Sequence, residues 1–175
     1  MKKILLIITG SISAYKGPSI ANALRGQGYE VTIVLTKAAL KFITKLSFSS
    51  QGFKTYTDED DWIGERVLHI DLAKKNEKFL IAPCTANTLA KISNGFADNL
   101  ATNIIRAIPN NKKLYIALAM NTEMYKRKTT KKTIKKLKKE FINVKFIKPE
   151  SKKLACGDIG IGALAKIDNI LKEII

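Results

Sequence analysis

Short apolar runs of strand length recur along the chain, and amphipathic segments separate them. Residues 4–9 form the first run, ILLIIT, whose unbroken apolar character is typical of a parallel strand buried on both faces. The later runs that predict strands are residues 31–35, 79–82, 114–118 and 144–147. Parallel strands need a long crossover between them, so the intervening segments are expected to contain helices.

The intervening segments have the spacing of amphipathic helices. Residues 15–27 place Ile20, Ala21 and Leu24 on one side, and glycines end the segment. Further helices are predicted over residues 36–42, 85–93, 97–107, 126–139 and 167–175, whereas residues 46–64 and the glycine-rich stretch before the last helix are expected to be irregular. This alternation predicts an α/β fold: one domain over residues 1–175, with a Rossmann-like (flavodoxin-like), doubly wound parallel sheet and helices on both faces.

Composition narrows the class of protein. The chain has 175 residues, and no apolar run reaches the roughly 20 residues of a membrane-spanning helix, so no membrane association is expected. The first ten residues resemble a signal peptide, but the apolar run is too short and no cleavage site follows, so we expect a cytoplasmic location. Cys84 and Cys156, with a single histidine, predict neither a disulfide framework nor a metal site.

The formal net charge is +16, and part of the excess lies in residues 126–139, KRKTTKKTIKKLKK, which contain no acid. Two interpretations stay open for this stretch: the solvated face of a helix, with Ile134 and Leu137 buried, or a weak, salt-dependent contact with a polyanion. The stretch has no aromatic residue on which bases could stack, so a nucleic-acid partner is not expected.

The residues that follow each predicted strand carry the functional information, because open α/β sheets bind ligands at the carboxyl ends of their strands. Gly10 and Ser11 follow the first strand without the pattern of a dinucleotide site, and a simple helix cap is the alternative interpretation. Thr36 follows the second strand, and the third is followed by PCTANT, residues 83–88. Small polar groups on one rim indicate a polar, mostly uncharged ligand, such as a flavin with a phosphate.

Two reactive side chains stand apart from these turns. His69 is the only histidine and lies in what reads as an exposed segment, where it is either structural or a general base. Cys156 lies in LACGDIGIGALAKI, whose glycines make the loop adaptable. This thiol is either a reactive group on a lid or a small apolar side chain in a surface turn.

Taken together, six segments resemble the flavin-containing cysteine decarboxylases. They are TGSISAYK, TKAALKFIT, HIDLAK, APCTANTLAKISNGFADNLAT, LAMNTEMY and LACGDIGIGAL, and they occur in the family's order over almost the whole chain. The resemblance implies FMN as cofactor. It also implies decarboxylation of 4′-phospho-N-pantothenoylcysteine to 4′-phosphopantetheine for coenzyme A synthesis, through a thioaldehyde and an ene-thiol.

The resemblance also implies a role for individual residues. The FMN-binding positions are Gly10, Ser11, Ile12, Thr36, Cys84, Thr85, Ala86, Asn87 and Ala119. His69 corresponds to the catalytic base and Cys156 to the proton donor of the reductive half-reaction. Asn121 corresponds to the residue that holds the substrate carboxylate, and Met124, Ala155 and Gly157 lie in the implied substrate pocket.

Some positions depart from the family pattern. Cys84 replaces a small residue, Leu118 a proline, Tyr125 a tryptophan and Ala163 an arginine, and the last of these changes removes a possible contact to the substrate. Family members are trimers or dodecamers of trimers with FMN at the subunit interface, and a separate phosphopantothenate–cysteine ligase is implied upstream. The alternatives are a peptidyl-cysteine decarboxylase, a flavin prenyltransferase on the same fold and a non-enzymatic regulator.

Overall fold

A computed structural model describes residues 1–61, 67–153 and 159–175 of the chain. The strands of the main sheet are β1 (Lys2–Ile8), β2 (Tyr29–Leu35), β3 (Lys54–Tyr56), β4 (Lys78–Cys84), β5 (Lys113–Leu118) and β6 (Val144–Ile147). All neighbouring strands pair in parallel, in the order β3-β2-β1-β4-β5-β6. Without the three-residue β3, this order is that of the flavodoxin-like sheet, so the predicted fold class is confirmed.

The described helices are α1 (Gly17–Gly26), α2 (Leu46–Ser49), α3 (Leu68–Lys75), α4 (Ala86–Ser93), α5 (Leu100–Ala107), α6 (Thr122–Lys126), α7 (Lys128–Glu140) and α8 (Ile167–Ile174). The longest of them, α7, has 13 residues, and within the described parts of the chain no helix is long and apolar enough to cross a membrane. A two-stranded antiparallel hairpin, β7 (Glu150–Lys153) and β8 (Ile159–Ala163), follows the sheet.

The core lies on both faces of the sheet, as the unbroken apolar runs predict. On β1, Ile4 and Leu6 belong to the cluster that α1 and α8 cover, whereas Leu5 and Ile7 belong to the cluster that α3, α4, α5 and α7 cover. All four of these side chains have no exposed surface. Burial of both faces explains why this strand shows no alternation of polar and apolar residues.

The structure differs from the sequence-based prediction in several segments. Residues 36–42 form only a short 3-10 turn, Ala39–Lys41, in place of a helix. Helix α5 begins at Leu100 because Asn99 caps it, with its Oδ1 accepting the Thr102 N–H at 3.0 Å. The glycine-rich stretch that was expected to be irregular contains the hairpin strand β8.

Candidate functional site

A cleft of about 700 Å³ opens beyond the carboxyl ends of β1, β2, β4 and β5. It lies at the point where the chain order reverses between β1 and β4, which is where open α/β sheets bind their ligands. Its volume is within the range of small-molecule and cofactor sites. The described residues that line it are Gly10, Ser11, Thr36, Lys37, Ala38, Lys41, Asp58, Thr85, Ala86, Asn87, Thr88, Lys91, Asp98, Asn99, Thr102, Ala119, Met120 and Met124.

Gly10 brings the turn after β1 into contact with the turn after β2. A Cβ atom on Gly10 would lie 2.5 Å from the Cβ of Ala38, so a larger residue would push the two turns apart. Ser11 caps the following 3-10 helix by accepting a main-chain N–H at 3.2 Å. The Thr36 N–H donates to the Ile8 carbonyl at 3.1 Å, which fixes the second turn against β1. These contacts set the shape of one wall of the cleft.

A threonine that the sequence analysis did not select connects the two central strands. The buried Thr9 hydroxyl donates to the Pro83 carbonyl at 2.8 Å and accepts the Thr85 N–H at 3.2 Å. Thr85 in turn caps α4, because its Oγ1 accepts the Thr88 N–H at 3.2 Å. The start of α4 is therefore held at the floor of the cleft.

Two of the predicted FMN-binding residues do not present their side chains to the cleft. The Cys84 side chain is completely buried in the core cluster that also contains Leu89 and Ile92, and burial raises the pKa of its thiol well above the usual range. Any contact of Cys84 with a ligand would come from its main chain. Ile12 is 56% exposed and is not among the described residues that line the cleft.

The turn after β5 forms the opposite rim. Ala119 is held by its N–H, which donates to the Cys84 carbonyl at 2.9 Å. Asn121 caps α6 with its Oδ1, which accepts the Glu123 N–H at 2.8 Å, and this bond leaves Nδ2 as the donor side of the amide. Asn121 is exposed and lies at the rim, between Met120 and Met124, which both line the cleft.

The hairpin of β7 and β8 packs directly on this turn. The Met120 N–H donates to the Gly162 carbonyl at 2.9 Å. A Cβ atom on Gly162 would overlap the Met120 carbonyl oxygen, and one on Gly160 would overlap the Thr122 hydroxyl. Among the described residues, that buried hydroxyl has no hydrogen-bond partner. The two glycines thus let β8 lie against the segment that carries Asn121.

The predicted proton donor and two predicted substrate-binding residues, Cys156, Ala155 and Gly157, lie outside the described residues. The strands β7 and β8 end on either side of the 154–158 segment that contains them. Their assignments stay predictions of the sequence.

His69 lies on α3 rather than in an exposed segment, and its side chain is only 16% exposed. Its Nδ1 lies 2.9 Å from Oδ1 of Asp61, and the same oxygen accepts the His69 main-chain N–H at 3.1 Å. The other carboxylate oxygen accepts the Asn103 amide at 2.9 Å. His69 is not among the described residues that line the cleft of its own chain.

Charged side chains complete the walls of the cleft. Asp58 accepts the Lys37 N–H at 3.3 Å with one oxygen and the Leu100 N–H at 3.0 Å with the other, so it ties the second turn to α5. Lys91 hydrogen-bonds Asp98, and this bond lowers the pKa of the Asp98 carboxyl. The amines of Lys37 and Lys41 add positive charge at the rim, which suits an anionic ligand.

Asp58 was not predicted as a cleft residue because the sequence pattern does not indicate β3. Asp58 follows β3 as Thr36 follows β2, so the strand-end rule would have selected it. The rule did select Gly10, Ser11, Thr36, Thr85, Ala86, Asn87 and Ala119, and the structure brings all of them to the cleft.

Comparisons with known proteins agree with this architecture. The profile of a family described as Flavoprotein matches residues 1–175. A curated relative from Streptococcus mutans, named probable phosphopantothenoylcysteine decarboxylase, is 42% identical over 177 aligned positions, which cover 99% of this chain and 97% of the relative. A solved PPC decarboxylase variant complexed with pantothenoylaminoethenethiol is similar with a TM-score of 0.92 and 39% identity, covering 99% of this chain and 96% of that one. The FMN-binding protein AtHal3 is similar with a TM-score of 0.88 and 40% identity, covering 99% and 94%.

Proposed function

The chain belongs to the Flavoprotein family, and from this membership we propose that it decarboxylates 4′-phospho-N-pantothenoylcysteine to 4′-phosphopantetheine in coenzyme A synthesis, with FMN as its cofactor. The observation that carries the proposal is the cleft at the reversal point of the sheet, which unites seven of the nine predicted FMN-binding positions. The rim that bears Asn121 closes the same cleft on its other side.

The residues of the cleft fit FMN by shape and by chemistry. Gly10 keeps the first turn clear of a side chain, and Ser11, Thr36 and Thr85 supply hydroxyl groups around it. The start of α4 is turned toward the cleft, and helix starts favour anionic groups such as a phosphate. We assign these residues, with Ala86, Asn87 and Ala119, to cofactor binding.

Bound FMN would supply two-electron chemistry: oxidation of the carbon that bears the sulfur, and later reduction of the decarboxylated product. The oxidised substrate, a thioaldehyde, can lose CO2 because its C=S group accepts the electrons of the broken bond. Without that oxidation, loss of CO2 would leave an unstabilised carbanion.

The side chains of this protein handle protons and position the substrate. We assign His69 as the base that accepts the proton of the substrate thiol and Cys156 as the acid that returns one. The Nδ2 group of Asn121 would donate to the substrate carboxylate. A neutral amide orients this group without the fixed positive charge that would stabilise the ground-state carboxylate.

A second copy of the chain is needed to complete this site. His69 is absent from the described lining of its own cleft, so it would act on the cleft of a neighbouring subunit. Ile12 and Tyr15, beside the first turn, are 56% and 61% exposed, and exposed apolar side chains of this size are typical of protein interfaces. We propose a homotrimer or a dodecamer of trimers, and a cytoplasmic location with a separate upstream ligase stays a prediction.

The test begins with the flavin. The purified protein is expected to be yellow and to release CO2 from phosphopantothenoylcysteine but not from a cysteine-ended peptide, which serves as the control substrate. The His69→Asn variant should keep FMN and lose substrate oxidation, and Cys156→Ser should still release CO2 while ene-thiol accumulates. Absence of bound flavin, or turnover of the peptide alone, would overturn the proposal.

The shared site has its own test. Variants His69→Asn, which lacks the base, and Gly10→Ala, which binds FMN weakly, are co-expressed with different tags, purified as mixed oligomers and assayed at an FMN concentration too low to load Gly10→Ala. Because each keeps what the other lacks, activity should return in the mixture. Two inactive partners that stay inactive together would show that each chain uses its own His69.

A further inference from the structure

Asp61 is a deeply buried carboxylate that contacts His69, the proposed base. Its side chain is 2% exposed, and its two oxygens receive three contacts from described residues. Oδ1 accepts the His69 main-chain N–H at 3.1 Å and faces Nδ1 of the same residue at 2.9 Å. Oδ2 accepts the Asn103 amide at 2.9 Å. A buried carboxylate costs free energy unless its oxygens are paired, and these contacts pair both.

The arrangement selects one form of the imidazole ring. Both oxygens of Asp61 act as acceptors, so Nδ1 of His69 must carry the hydrogen in their contact. In a neutral ring the proton then lies on Nδ1, and Nε2 is the atom with the lone pair. The main-chain bond to His69 adds a second attachment, which restricts rotation of α3 relative to Asp61.

Helix α5 connects this pair to the cleft. Asn103, which holds Asp61, follows Thr102 and lies one turn after Asn99, and both of those residues line the cleft. Asp61 also lines a smaller cavity of about 200 Å³ that shares Asp58, Asp98 and Asn99 with the cleft wall. The histidine is therefore fixed to the same helix that shapes the cofactor site.

We infer that Asp61, supported by Asn103, is a positioning residue that holds His69 in the Nδ1–H tautomer, so that Nε2 is the atom that accepts the substrate proton. The inference rests on the proposed function for the identity of that proton. The inferred tautomer is independent of the proposed function, because it is a property of the resting protein.

The tautomer can be measured directly because His69 is the only histidine of the chain. Two-bond ¹H–¹⁵N correlation spectra of the FMN-loaded protein, labelled on histidine nitrogens and recorded at alkaline pH, will contain a single imidazole pattern. The expected pattern has the proton on Nδ1. In Asp61→Ala, which removes both acceptors, the Nδ1–H signature should weaken and Nε2–H should appear. A wild-type ring with its proton on Nε2 would overturn the inference even if no variant folds.

Kinetic measurements provide a second test of the role of Asp61. The Asp61→Ala variant should reduce FMN with substrate about 100-fold more slowly or worse, since a wrong histidine tautomer costs up to about 10⁴-fold in other enzymes. Its FMN affinity and its KM should change by less than about threefold, because the defect lies in proton transfer. Asp61→Asn keeps one oxygen acceptor, and Asn103 can rotate its amide to match, so this variant should recover part of both the rate and the Nδ1–H signal.

Asp71→Asn is the matched control, because it removes a carboxylate from the same helix. Asp71 pairs with Lys75 at 3.5 Å on the surface, away from the imidazole contact. It should keep both the tautomer and the rate. Equal slowing in Asp61→Ala and Asp71→Asn would show a general effect of charge and would overturn the inference. A protein with the expected tautomer but no decarboxylation would instead count against the proposed function alone.

Discussion

Replacement of Gly10 by alanine tests whether the close contact of the first two turns shapes the cofactor cleft. The added Cβ would lie 2.5 Å from the Cβ of Ala38 and 3.0 Å from its carbonyl carbon. Carbon atoms in contact prefer separations of about 3.5 to 4.0 Å, so the turns must move apart by roughly 1 Å. Overpacking of this kind costs about 1 to 3 kcal/mol of folding free energy.

The same movement should weaken the binding of FMN. The second turn is tied to β1 by the Thr36 N–H, 3.1 Å from the Ile8 carbonyl, and by the threonine hydroxyl at 3.4 Å from the same oxygen. A shift of about 1 Å would lengthen these bonds and displace Thr36 from the cleft. Loss of one hydrogen bond to a charged group of the ligand reduces the binding free energy by about 1.5 to 3 kcal/mol, so FMN should bind at least about tenfold more weakly.

Gly26→Ala is the matched control for this substitution. Gly26 is the last residue of α1, and a Cβ there would meet no atom within 4 Å. The same chemical change should therefore stabilise the protein by about 0.4 to 1 kcal/mol through the entropy of the unfolded chain. Urea unfolding measures the folding free energies, and quenching of flavin fluorescence measures the FMN affinity of each variant.

The double variant Gly10→Ala with Ala38→Gly separates the two clashing atoms. Removal of the Ala38 Cβ relieves the 2.5 Å contact but leaves the carbonyl carbon at 3.0 Å, so stability and FMN affinity should return only in part. A Gly10→Ala protein with the folding free energy and FMN affinity of the wild type would refute the packing argument. So would a double variant that loses more folding free energy than the sum of the losses in the two single variants.

Three further substitutions test other contacts of the site. Thr9→Val keeps the shape of the side chain but removes the bonds to Pro83 and Thr85, and should cost about 1 to 3 kcal/mol in urea unfolding. Asp58→Ala should cost a similar amount, about 1 to 3 kcal/mol, and raise the Kd for FMN, because it frees the turn after β2 from α5. Burial raises the pKa of the Cys84 thiol, so as the pH rises the unfolded chain loses this proton before the folded chain does. The contribution of the buried thiol to the free energy of unfolding is therefore complete below the ordinary thiol pKa and decreases as the pH rises above it. Cys84→Ala should show a smaller alkaline loss of stability than the wild type.

The central strands and the cleft turns could be predicted from the sequence because both follow from local patterns. An unbroken apolar run such as residues 4–8 is typical of a strand buried on both faces, and this favours a parallel sheet between two layers of helices. Once the strands are known, the strand-end rule selects Thr36 and Thr85 without any knowledge of long-range contacts. The predicted strand at residues 144–147 coincides with β6.

The short strand β3 and the hairpin could not be predicted in this way. Strand β3 has three residues and pairs with β2, and no local sequence pattern indicates this long-range pairing. Glycine is depleted in strands, so the glycines of β8 led to the prediction of a loop there. Gly160 and Gly162 occur there because a side chain would collide with the turn of β5, a contact between segments about 40 residues apart in the chain.

The role of Asp61 was hidden for the same reason. In the sequence it is one member of the acidic run DEDD, at residues 58–61, and a run of carboxylates usually faces solvent. In the structure its neighbours differ: Asp60 accepts the Thr57 N–H at 2.7 Å, whereas Asp61 is buried against Asn103, which is 42 residues away. The distinction depends on the packing of α5, so no pattern within the run could reveal it.

The positions where the sequence departs from its family acquire a physical interpretation from the fold. Cys84, Leu118 and Ala163 are at most 6% exposed, and Tyr125 packs against the core on the side of α4 and α5. None of the four is among the described residues that line the cleft. A substitution inside a core is tolerated when volumes are compensated nearby, so these departures change packing beneath the site. We therefore expect substrate choice to depend on the predicted substrate-binding residues, Ala155 and Gly157 among them, rather than on these four positions.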